Sequence, residues 1–110
     1  MLSKKDLISL NKEFHNGKIA NENSLDFVLD QAKRNKDWLK SIAYFARAII
    51  LDHLFEDGNK RTAAAVIATC IDMQNLDFDK KKVDDAVLQI AKKNIQSIEE
   101  ITRLIKDAIR

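Results

Sequence analysis

Nine consecutive residues, 53–61, gather side chains that could do chemistry together: His53, Phe55, Asp57, Gly58, Asn59, Lys60 and Arg61, with Leu54 and Glu56 between them. An imidazole is the side chain best suited to take a proton from a hydroxyl near neutral pH. Asp57 supplies a hard oxygen, the donor that magnesium prefers when it also holds phosphate oxygens. Gly58 lets a backbone come close to a ligand. The residues after it, Asn59 onwards, read as the first turn of a helix. Such a turn presents free amides and partial positive charge, so acidic side chains are usual there. Lys60 and Arg61 add two full positive charges instead, a conflict that disappears if an anion sits on the turn and takes charge-assisted hydrogen bonds from both. The segment therefore reads as a phosphate site with a base one loop away. A plainer reading stays open from these residues alone: a connector in which Gly58 stops one helix, Asp57 or Asn59 caps the next, and Lys60 and Arg61 are solvated.

The rest of the chain must position this segment. With no proline and only Gly17 and Gly58, breaks are found from caps and from the spacing of apolar residues, and nearly every break joins helix to helix. Ser3 caps a first helix with Leu7, Leu10 and Phe14 on one face, and Asn16-Gly17 stops it. Ser24 caps a second, with Phe27, Val28 and Ala32 inward. A third runs from about Asp37 to His53 and is apolar enough, at Trp38, Ile42, Phe45, Ile49 and Ile50, to be mostly buried. A fourth starts near Asn59 and carries the small residues of positions 63–68, which permit close packing on several sides. Asp79 caps a fifth (Val83, Ala86, Val87, Ile90). Ser97 and Glu100 form a capping box at the start of a sixth (Ile98, Ile101, Leu104, Ile105). Residues 18–23 show neither helical spacing nor turn chemistry and leave room for a short extended flap. The expectation is an all-α, compact, single-domain bundle of about six helices over residues 1–110, with that flap.

Residues 53–61 resemble the signature of the Fic/Doc proteins: histidine, any residue, phenylalanine, any residue, an acid, Gly or Ala, Asn, Gly or Lys, and Arg. All seven specified positions are met, and the pattern of a buried helix before and an alanine-rich helix after is similar to that fold. The resemblance implies an enzyme that moves a phosphate-containing group from a nucleotide to a protein hydroxyl. His53 would be the general base and Phe55 the apolar anchor of the loop. Asp57 would be the Mg²⁺ ligand, with Gly58, Asn59, Lys60 and Arg61 as the phosphate cradle for ATP or another nucleotide. Lys18 and Ile19 would belong to a flap that receives the target protein. Adenylyl-transferring members usually have Gly in place of Lys60 and a second arginine where Ala64 stands. The Doc type has the lysine and lacks that arginine, although Gly58 is less typical of it than alanine. The resemblance is thus to Doc, and implies phosphoryl transfer from ATP to a Ser or Thr hydroxyl of a translation-related protein such as an elongation factor, by a toxin paired with an antitoxin. The alternatives are an adenylyl or other nucleotidyl transferase (AMPylation) and a non-catalytic partner-binding module on the same scaffold. The self-inhibitory helix of some members has its nearest counterpart in residues 9–13, which Phe14 follows where Gly or Asn is required.

Composition narrows the field further. Nineteen basic and 17 acidic residues leave a formal charge of +2, too little to suggest nucleic acid or a membrane surface. Charged residues break the start of the chain, so no signal peptide is expected, and the apolar stretches 42–51 and 63–71 are interrupted or too short to span a bilayer. A cytoplasmic location follows. Cys70, inside the second stretch, reads as a buried reduced thiol. His15 reads as a helix C-terminal residue near free carbonyls. Lys80, Lys81 and Lys82 read as a solvated face without the aromatic residues that single-stranded nucleic acid would need. The pairs Asp84/Asp85 and Glu99/Glu100 diverge on their helices and form no dyad.

Overall fold

The computed structural model describes residues 2–110. Six helices follow one another: α1 (Lys4–Lys12), α2 (Glu22–Arg34), α3 (Trp38–Leu51), α4 (Asn59–Met73), α5 (Lys80–Lys93) and α6 (Ile98–Asp107). They fill a body of 32 × 29 × 24 Å, and among the described residues there is no sheet, only two isolated antiparallel bridges, Ile19 with Phe55 and Phe78 with Ile109.

The caps explain most boundaries. Ser3 and Asp6 make a full capping box at α1: the Ser3 amide donates to Asp6 Oδ2 at 2.9 Å, and the Asp6 amide donates to Ser3 Oγ at 3.2 Å. Asp37, Asp79 and Ser97 cap α3, α5 and α6 as their sequence positions suggest. At Ser97 the hydroxyl accepts from the Glu100 amide at 3.2 Å, the forward half of the expected box.

Three expectations are corrected. The cap of α2 is Asn21, whose Oδ1 accepts from the Ser24 amide at 3.1 Å; the Ser24 hydroxyl instead donates to Asp52 Oδ2 at 2.9 Å and ties α2 to the end of α3. Phe27 lies outside the core, 51% exposed, with its ring edge-on to Tyr44. The inner face of α2 is Leu25 and Val28, with Leu29 and the expected Ala32 packed beside them, a stripe at i, i+3, i+4 and i+7 that Phe27 lies off. Finally, α3 stops at Leu51, two residues before His53.

The central helix α3 packs against α2, α4, α5 and α6, which is why Ile42, Ala43, Phe45, Ala46 and Ile49 have no exposed surface. Each large side chain so buried stabilises the fold by roughly 1.5–3 kcal/mol relative to an exposed one. The alanine-rich α4 touches α3 on one side and α1 and α5 on others, and Ala63, Val66, Ile67 and Ile71 are fully buried. No helix among the described residues is long and apolar enough to cross a membrane. The two most buried helices therefore meet at the 52–58 connection, and anything that connection carries is held on a stiff base.

Candidate active site

His53 is placed by the way α3 ends. Asp52 closes the helix with its N–H on the Ala48 carbonyl at 3.2 Å, and His53 then adopts a left-handed conformation (φ 49°). This is the usual conformation just past a helix end, where glycine is preferred; histidine takes it more readily than most residues, at roughly 1 kcal/mol. The imidazole is exposed. Directly after it, Leu54 and Phe55 are 0% and 1% exposed, so the next two side chains plunge into the core and anchor the loop.

Phe55 is gripped from both sides. Its N–H donates to Asn59 Oδ1 at 3.0 Å and its carbonyl accepts from Asn59 Nδ2 at 2.9 Å, so the amide of Asn59 pairs with it as a neighbouring strand would. On the other side residues 18–21 run antiparallel to the loop: Ala20 N–H donates to Leu54 O at 2.8 Å and Glu56 N–H donates to Lys18 O at 3.1 Å. In this pairing the N–H and C=O of Ile19 point away from Phe55, along the outer edge. The extended flap is thus residues 18–21, beside the loop; positions 22 and 23 belong to α2. The side chain of Asn59 is spent on Phe55, and what Asn59 offers a ligand is its main-chain amide.

Gly58 precedes α4 in the left-handed region (φ 74°, ψ 17°), and no side chain caps that helix. Its own amide donates to Asp57 Oδ1 at 2.7 Å, while the Thr62 amide closes the first turn on Gly58 O at 2.9 Å. The amides of Asn59, Lys60 and Arg61 remain for a ligand. The backbone angle favours glycine here. A Cβ would meet Asn11, Phe14 and His15 only at ordinary contact distance, 3.4 Å, and those neighbours are the chain's own α1 end rather than space for a ligand. His15 therefore sits against this turn, and it is its main-chain N–H, donated to Asn11 O at 2.8 Å, that closes α1.

His53, Asp57, Gly58, Asn59, Lys60 and Arg61 all line one open hollow of about 500 Å³, completed by Phe14 and Ile50. Lys60 and Arg61 are exposed, and the ion pairs of the described residues all lie elsewhere, so their charge is not neutralised within the chain. Phe14, Lys60 and Arg61 also border a second hollow of about 580 Å³ between α4 and α5, where Ala64 forms part of an apolar wall. No cluster of three or more His, Cys, Asp or Glu able to hold a metal occurs among the described residues. Asp57 alone, with one oxygen engaged by Gly58, suits a Mg²⁺ ion that completes its shell with phosphate and water, and does not suit a metal held by protein alone.

Sequence reasoning passed over Phe14, Ile50 and Asn11 as parts of this region. For Asn11 a signal existed: it lies four residues after Leu7, on the inward face of α1, where an amide is out of place unless bonded. The model of a family described as the Fic/DOC family matches residues 3–71, more than half of the chain, from the first cap to the buried part of α4. No curated protein matches the chain.

Proposed function

This chain belongs to the Fic/DOC family, and from that premise we propose that it transfers the terminal phosphoryl group of ATP to a Ser or Thr hydroxyl of another protein. Members of the family generally transfer nucleotide-derived groups to proteins. The observation that carries the reading is the convergence, in one hollow, of a histidine, a carboxylate and an uncapped helix N-terminus bearing two unneutralised cations. In the reaction the target hydroxyl oxygen forms a bond to the terminal phosphorus as the bond from that phosphorus to the bridging oxygen breaks, with ADP leaving. His53 receives the hydroxyl proton. The amides of Asn59, Lys60 and Arg61, with the Lys60 and Arg61 side chains, hold the phosphates and stabilise the charge that develops on them. Asp57 would hold Mg²⁺, which when bound supplies further positive charge to the phosphate oxygens. The outward N–H and C=O of Ile19 provide an edge on which an extended stretch of the target can lie, fixing its hydroxyl near His53 through main-chain bonds alone.

Terminal transfer, rather than nucleotidyl transfer, is favoured by Lys60 together with Ala64. Lys60 lines the phosphate hollow, and the small Ala64 brings no second arginine to hold a terminal phosphate far from His53; Lys80, which also borders the neighbouring hollow, is paired with Asp84 at 3.1 Å. Gly58 is the observation on the other side, since alanine is more usual in the Doc type. The test is to incubate the chain with a candidate target, first a translation elongation factor, and ATP labelled at either the gamma or the alpha phosphorus. Gamma label alone on the target is the expected outcome; alpha label would make the chain a nucleotidyl transferase. Lys60→Gly should reduce phosphoryl transfer without opening efficient nucleotidyl transfer, because Ala64 still lacks the second cation. The same reading makes the chain a single-domain cytoplasmic toxin restrained by an antitoxin, so its expression alone should arrest growth and a His53 variant should not.

A further inference from the structure

Asn11 is fully buried and every polar atom of its side chain is used. Nδ2 donates to Asp57 O at 3.0 Å and to Thr62 Oγ1 at 3.0 Å, and Oδ1 accepts from the Gly17 amide at 2.9 Å. Thr62 Oγ1 in turn donates to Gly58 O at 2.8 Å. The carbonyls on both sides of Gly58 are therefore held, one by Asn11 directly and one through its partner. That fixes the peptide planes flanking a residue at φ 74°, and with them the Gly58 amide on Asp57 Oδ1 and the direction of the amides that follow. At its other end Asn11 holds Gly17, also left-handed at φ 76°, immediately before the residues that pair with Leu54 and Glu56.

Only a primary amide of this length offers two donors and one acceptor at these positions; Asp lacks the donors and Leu lacks all three. Removing this amide alone would leave the Asp57 carbonyl and the Gly17 N–H without this partner, and all three of its bonds end on the turn before α4, the first turn of α4 or the start of the flap, which argues for geometry as their use. We propose that Asn11 is a positioning residue that sets the Asp57–Gly58 turn and couples the phosphate cradle to the target-binding flap, an inference that rests on reading the hollow as the nucleotide site.

The test uses the fact that Gly17 and Gly58 are the only glycines, so their amide resonances in a nitrogen–proton NMR spectrum report the two ends of the coupling. In Asn11→Asp and Asn11→Leu both resonances should move. ATP–Mg²⁺ affinity of the folded protein should fall about tenfold or more, as when the outer partners of a ligand site are removed. Thr62→Val, which leaves Asn11 bonded to Asp57 and Gly17, should weaken affinity less. A lowered melting temperature with unchanged affinity would make Asn11 merely structural and overturn the proposal. If the Asn11 variants do not fold, the unmutated chain decides: ATP–Mg²⁺ should slow hydrogen exchange at Gly17 across Asn11, and unchanged exchange overturns the coupling. Should the unmutated chain bind no ATP–Mg²⁺, the functional reading fails separately, and unmoved glycine resonances in the variants would then refute the positioning role on their own.

Discussion

At the scale of single residues, His53 and Gly58 share one device, a backbone in the left-handed region, and pay different penalties for replacement. His53→Ala should abolish transfer, a loss of roughly 10²–10⁴-fold for a positioned base, while circular dichroism stays unchanged, because the imidazole is exposed and lies beyond α3. Activity retained at full helicity would take His53 out of the mechanism. Gly58→Ala meets no steric wall but must hold φ 74° with a Cβ, so it should cost roughly 1 kcal/mol in thermal unfolding and leave the chain folded. The candidate site at residues 53–61 stood out in the sequence because it violates a local rule: two cations where a helix start prefers acids. The conformation of His53 was not. A helix C-terminus without glycine gives no sequence sign of where the chain turns left-handed, and the apolar run through Ile49 and Ile50 carried the expected helix two residues too far.

Elements matter here through the edges they leave. Residues 18–21 were legible as non-helical, and their pairing with the loop was expected only as proximity; that Asn59 completes the other side of Phe55 depends on a side-chain direction that spacing cannot supply. The start of α2 was misplaced because Asn21 and Ser24 are both good caps, and the choice is made by Asp52, which draws off the Ser24 hydroxyl from 28 positions away. The flap assignment leads to a sharp experiment. Ile19→Pro deletes the outward N–H while sparing the bonds made by Ala20 and Lys18, so the KM for a protein target should rise severalfold with kcat for bound target little changed. Ile19→Ala, which keeps the amide, controls for the lost side chain. Equal effects of the two on KM would remove the strand-addition role.

For the molecule as a whole, the six-helix, all-α architecture was readable from caps and periodicity, since four of the six starts carry Ser or Asp at the cap and the core stripe of α3 is nearly unbroken. Cys70 shows what such a core imposes. Burial pushes its thiol up to about 12 from 9.0. The neutral thiol is the form the folded state favours, so this contribution to stability is intact below pH 9.0 and is lost as pH rises towards about 12. Stability measured by urea unfolding should accordingly decline across that alkaline window more in the native chain than in Cys70→Ala, and alkylating reagents should modify Cys70 only as fast as the chain opens. The buried amide of Gly17 has a bearing on durability as well. Asparagine followed by glycine is the dipeptide that ages fastest in proteins, because the glycine nitrogen attacks the asparagine side chain to form a cyclic imide. Here that nitrogen donates to Asn11 and the Asn16 side chain is occupied by the Lys18 amide at 2.9 Å, so folded protein in storage should accumulate isoaspartate at Asn16 far more slowly than the same chain kept in urea.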